Sequence, residues 1–160
     1  EFRRVLFRSP NGAGKSTLLK ALWGGVKVFG GTVEKAPGLA ISHQAQGFDD
    51  LRGVPITGHE LLRLTGASPD GLPAWLQDRL HDRLDRLSGG QFRFLRLWAC
   101  LAAPADLVLM DEPTNNLDKA GVAYLADWLG HAHGEQGIVL VTHDAALMRQ
   151  VCTRVVEVGE

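Results

Sequence analysis

Leu107-Val108-Leu109-Met110 is an unbroken apolar run that ends directly on Asp111-Glu112. A strand with one wet face alternates apolar and polar residues, whereas a run without alternation is covered on both faces. That requirement belongs to a parallel sheet sandwiched by helices. A second run of the same kind lies at 138–142. Helical spacing predicts helices over 17–23, closed by Gly24-Gly25, and over 57–64, with Thr57 as cap and Glu60 three residues on. Further helices are expected over 75–87, with apolar residues at 76, 80, 84 and 87, and over 91–102, 122–129 and 145–152. Strands are expected on either side of Gly30-Gly31 within 26–33, at 39–42 and at 155–158. Strands alternating with helices give an α/β fold with a mostly parallel sheet.

The chain of 160 residues is one domain's worth, and its formal charge of -1 exerts no strong pull on nucleic acid or an anionic membrane. Cys100 and Cys152 match no metal-ligand spacing and read as reduced thiols. No apolar run reaches the ~18 residues of a membrane span. The nearest, from Phe94 to Met110, is interrupted by Arg96, Pro104 and Asp106. Any membrane in this system is therefore expected to be crossed by a partner.

Two segments carry phosphate chemistry. Asn11-Gly12-Ala13-Gly14-Lys15-Ser16-Thr17 opens a helix. Its glycines let the backbone turn several N–H donors inward, and the helix adds the positive end of its dipole. Lys15 is placed to reach the β- and γ-phosphates of a nucleotide and the Ser16 hydroxyl to bind Mg²⁺. The full phosphate-loop pattern has glycine at position 9, where this chain has Ser9. Asp111 and Glu112 then stand at the carboxyl end of a buried strand, the edge where open α/β sheets bind ligands. Asp111 suits a Mg²⁺ ligand acting mainly through water, and Glu112 a general base for an attacking water.

With these segments in place, the chain resembles the ATP-binding-cassette superfamily from Pro10 to about Val158. Leu87-Ser88-Gly89-Gly90-Gln91 is similar to the signature motif of that family, on a glycine-rich turn that opens a helix. The resemblance implies that Ser88, Gly89, Gly90 and Gln91 meet the γ-phosphate of ATP held by a second such domain. It implies that Gln44 contacts Mg²⁺ and the attacking water. It further implies that Asp118, in Asn116-Leu117-Asp118, belongs to the D-loop and contacts the nucleotide, and that His143 contacts the γ-phosphate. Glu112, His143 and Gln44 would be the catalytic set, Ser16, Gln44 and Asp111 the metal set, and ATP and Mg²⁺ the cofactors. The implied fold is a phosphate-loop NTPase (RecA-like) core, over 10–45 and 100–160, with a small helical subdomain inserted over 46–99. The signature helix of the family carries arginine where this chain has Phe94 and Ala99. Here Arg93 and Arg96 are displaced neighbours.

Two branches of the family share features with the chain. Pro55-Ile56-Thr57 through Leu61-Leu62-Arg63-Leu64-Thr65 is similar to zinc and manganese uptake ATPases. Membership there implies a homodimer at the inner face of the cell membrane, bound to a transmembrane permease and served by a solute-binding protein, with no direct nucleic-acid partner. Thr114-Asn115-Asn116-Leu117-Asp118 and the segment 153–158 resemble instead the soluble ABC-F group, which acts on ribosomes.

Residues 1–9 mix Arg3, Arg4 and Arg8 with bulky apolar residues and show neither strand nor helix period. Back-translated, they resemble a sequencing-adapter oligonucleotide. The expectation is a non-native leader ending at Ser9, with native sequence from Pro10 and the first strands of the fold, including the adenine-stacking aromatic residue, unrecorded.

Overall fold

The computed structural model describes residues 4–8, 13–44, 51, 53–131 and 136–157. Its sheet contains β1 (Arg4–Arg8), β2 (Ile41–Gln44), β3 (Leu107–Asp111), β4 (Gly137–Val141) and β5 (Arg154–Glu157), in the order β2-β3-β4-β1-β5. Every pairing is parallel. The helices are α1 (Lys15–Trp23), α2 (Gly58–Thr65), α3 (Ala74–Gln77), α4 (Gly89–Leu101), α5 (Lys119–Gly130) and α6 (Ala145–Val151).

Side-chain alternation sends the strands' apolar residues to two cores. Leu6, Val108, Met110, Ile138 and Leu140 join the large core made with α4, α5, α6 and the helical segment between β2 and β3. Leu109, Val139 and Val141, with the half-buried Val5, Phe7, Ile41 and Leu107, face α1 through Leu19, Leu22 and Trp23. Both faces are thus covered, which is why the runs at 107–110 and 138–141 carry no polar alternation. The helical segment contributes Leu61, Leu62, Leu72, Leu76, Leu80, Leu84 and Leu87 to the same large core. The boundary expected between residues 99 and 100 falls inside the last turn of α4.

Four expectations are corrected. Residues 4–8 form β1 between β4 and β5, although they show no period. Leu6 packs on one face and Val5 and Phe7 on the other, and a strand buried on both faces needs no alternation. No strand forms over 26–33. Val28, Phe29 and Val33 are exposed there, and no described strand pairs with them. The strand expected at 39–42 begins at Ile41 and runs to Gln44. The helix expected over 75–87 breaks into α3 and a 3-10 turn at Leu84–Arg86. Its face was read correctly, since Leu76, Leu80, Leu84 and Leu87 are all buried. Its backbone instead extends to pair with the start of α2, through the Thr57–Arg83 bridge and the donation from Leu84 N to Ile56 O at 2.9 Å.

Candidate functional site

The strand order brings the sequence motifs to one edge. β1 leads into the phosphate loop, β2 ends on Gln44, β3 on Asp111 and β4 on Val141, and these are adjacent strands of the sheet. Gln44 pairs in register with Met110, so it lies beside Asp111. Asn11 and Gly12 lie outside the described residues. Ala13 is exposed, and Gly14 caps α1 in the left-handed region at φ 81°, a conformation that glycine adopts without Cβ strain. Among the described residues no side chain caps this helix. Lys15, its first residue, is buried, Ser16 half-buried and Thr17 exposed.

Asp111 is buried at 8% exposure, and its Oδ1 accepts no hydrogen bond among the described residues. The Oε1 of Gln44 is likewise buried without a partner. Buried acceptors without donors are costly. Each is an oxygen acceptor of the kind a hard divalent cation takes, and the Asp111 carboxylate oxygen carries the charge such an ion needs. The residues at this position therefore fit Mg²⁺.

Glu112 continues from β3 at φ 49°. Its N–H donates to Val141 O at 2.7 Å, which fastens the turn to the end of β4. Its carboxylate reaches the loop after β4: His143 N donates to Oε2 at 3.3 Å, and His143 Nε2 lies 3.4 Å from Oε1. The carboxylate is mostly buried while the imidazole is half exposed. Thr142 is buried, and its Oγ1 accepts from Asp144 N at 3.1 Å. Asp144 in turn caps α6. The loop that carries His143 is thus held from both sides.

Ser88–Gln91 is carried by no strand and opens α4 instead. Ser88 Oγ accepts from Gln91 N at 3.2 Å and Gln91 Oε1 accepts from Ser88 N at 3.0 Å, a reciprocal capping box. Arg93 Nη1 donates to Asn116 O at 3.4 Å, and a Cβ on Gly90 would lie 3.8 Å from Asp118 Oδ2. The signature turn and the 116–118 loop therefore face each other within one chain. Asn116 is left-handed at φ 64°. Asp118, expected at the nucleotide, caps α5 with Oδ1, which accepts from Gly121 N at 2.7 Å. Its side-chain oxygen there satisfies an otherwise orphan donor.

Sequence reasoning missed Trp23 and His43. Their rings stack at 4.0 Å and 15°, joining the last residue of α1 to the residue before Gln44. Desolvation holds the His43 imidazole below its ordinary value. Their only sequence signal was adjacency to a motif. A cavity of about 500 Å³ opens beside Gln44 between β2, α2 and α4, lined in part by Ser42, Thr65, Arg96 and Cys100. Burial pushes the Cys100 thiol up to about 11, so it is an inert thiol and no nucleophile. Among the described residues no group of three metal-ligating side chains occurs, and no helix is long and apolar enough to cross a membrane.

No protein-family model matches the chain. It is 30% identical over 160 residues to the zinc import ATP-binding protein ZnuC of Chromohalobacter salexigens, covering 95% of this chain and 67% of that one. It is 36% identical to ABC transporter F family member 4 of Arabidopsis thaliana, covering 93% of this chain and 22% of the relative. A solved structure of ribosome-bound archaeal Pelota and ABCE1 contains a chain that superposes with a TM-score of 0.84 at 27% identity, over 97% of this chain and 27% of that one. The chain spans about three-fifths of the length of the first zinc-import relatives it matches.

Proposed function

The chain belongs to the ATP-binding-cassette ATPase family, and from that premise we propose that it binds MgATP at the carboxyl edge of its sheet and hydrolyses it as half of a pair. The observation that carries the proposal is the division of the motifs between two places. Lys15, Gln44, Asp111 and the Glu112–His143 pair stand at the carboxyl ends of strands or the helix that follows one, while Ser88–Gln91 opens a helix that follows no strand directly.

In this reading Lys15 and the amino end of α1 hold the β- and γ-phosphates. Ser16, Gln44 and Asp111 would hold Mg²⁺, which would neutralise charge on the phosphate oxygens. Phosphoryl transfer asks the protein mainly for positioning. Glu112 takes the proton of the water that attacks the γ-phosphorus as the bond from that phosphorus to the β–γ bridging oxygen breaks. His143, held against Glu112, is aimed at the γ-phosphate. Ser88, Gly89, Gly90 and Gln91 of a second copy close the site. Glu112→Gln is expected to accumulate an ATP-bound dimer, read by sedimentation with and without ATP; a variant that stays monomeric with normal turnover contradicts the base assignment.

The proposed setting is a transporter that imports zinc or manganese, with a membrane-spanning permease and a solute-binding protein as partners. The zinc-import relatives and the 55–65 segment support it. The cavity beside Gln44 gives a partner's helix a place to reach the catalytic row. A second reading, a soluble ribosome-acting factor, rests on the 36% identity to the plant F-family protein. An adjacent permease gene supports the first, and a second cassette in the same reading frame the second.

A further inference from the structure

His59 and His81 belong to none of the nucleotide motifs. His59 lies in the first turn of α2 and His81 in the turn that follows α3, and both are exposed. Their rings are nevertheless adjacent, with centroids 4.5 Å apart and planes tilted by 57°. The backbone fixes this juxtaposition. His59 N donates to Leu80 O at 3.0 Å and Gly58 N donates to Asp82 O at 3.2 Å. The Thr57–Arg83 bridge continues the same pairing. Below it, Leu61 and Leu80 are both buried in the large core. The two imidazoles are therefore presented by segments with little freedom to separate.

Neighbouring carboxylates have other partners. Glu60 accepts from Thr57 N and Thr57 Oγ1 at 2.7 and 2.8 Å, and Asp82 pairs with Arg79 Nε at 2.7 Å. Among the described residues no third histidine, cysteine, aspartate or glutamate completes a three-residue metal cluster. What remains is an all-nitrogen pair open to water on its outer side. Neutral imidazole is a ligand for Zn²⁺, Cu²⁺ and Ni²⁺, and a cation about 2 Å from one nitrogen of each ring can bridge rings this close.

We propose that His59 and His81 form a two-imidazole site for a divalent transition metal, with water filling the other positions. Bound metal joins the amino end of α2 to the turn after α3, pinning the helical segment at a point the nucleotide row does not touch. The site is independent of the ATPase reading, because it needs neither nucleotide nor a second copy.

Isothermal titration of the metal-free chain with NiCl₂, then with ZnCl₂, tests it directly. The wild type is expected to bind one ion at the pair and to unfold at a higher temperature with metal present. His59→Gln and His81→Gln should each weaken that binding by about tenfold or more, with metal-free unfolding temperatures unchanged because both side chains are exposed. His131→Gln, at an exposed histidine outside the pair, should bind as the wild type does. Unaltered binding in the double variant His59→Gln/His81→Gln overturns the proposal, and so does an absence of binding by the wild type at millimolar metal.

Discussion

The chain contains two helix amino ends that read alike in sequence, each opened by glycines, and the structure finishes them differently. At α1 the cap is Gly14, left-handed and without a side-chain bond to the first turn. At α4 the cap is Ser88, and a capping box with Gln91 satisfies donors from within the chain. Among the described residues the first end has no side-chain cap, while at the second the Ser88 and Gln91 donors are satisfied by the box and the Gly89 and Gly90 N–H groups are left to face a ligand. A nucleotide would therefore be held by the first in a single chain, and the second would be a rigid lid brought by another copy. The glycine pattern was common to both, and the residue ahead of it made the difference.

The sharpest way to break this contrast is at the catalytic row. Glu112→Gln should lower steady-state turnover by about a thousandfold while leaving ATP affinity intact, because it removes only proton transfer. Parallel loss of binding would mean that Glu112 holds the nucleotide. Next in size, Lys15→Ala should weaken binding of ATP to the dilute chain by about two orders of magnitude. Ser88→Ala should leave that single-chain affinity alone, and equal losses in the two variants would erase the distinction. A fluorescent nucleotide titration reads both.

Stability separates the two ends more finely. Ser88→Ala should cost about 1 kcal/mol in urea unfolding through loss of the capping box. Gly14→Ala should cost about 1–2 kcal/mol by a different route, the left-handed backbone, since its Cβ would meet no described residue within 4 Å. The smallest effect lies at His43. Desolvation lowers its folded-state value, so the unfolded chain takes up a proton first as the medium acidifies. Stability is full above the ordinary value of 6.5 and declines as the pH falls through it. His43→Asn should flatten that decline, measured as the difference in urea midpoint between pH 7.5 and 5.5.

Much of this was legible in the residues. The runs at 107–110 and 138–141 announced buried parallel strands, and Thr57 with Glu60 announced a capping box that is present. The 75–87 segment shows the limit. Its leucines mark a buried face correctly, but periodicity cannot tell a helix from a chain that buries the same side chains while turning to pair with α2. β1 was missed because period is the wrong signal for a strand covered on both faces. At the site, residue types and spacing named Gln44, Asp111, Glu112 and His143. Their juxtaposition depends on the strand order β2-β3-β4-β1-β5, which no local pattern encodes. The positive φ of Glu112, and the capping duty that Asp118 performs, are likewise products of packing.

The central claim is that one chain's phosphate loop works with another chain's signature turn. Mixing two crippled chains tests it most directly. Lys15→Ala removes the first element, and Gly90→Asp places a charge in the second, where an added Cβ would lie 3.8 Å from Asp118 Oδ2. Each variant alone should be inactive. An equimolar mixture should recover ATPase activity, up to about a quarter of the wild-type rate, since half of randomly formed pairs contain one intact composite site out of two. A mixture as inactive as its components, when wild type measured alongside turns over, would contradict the account.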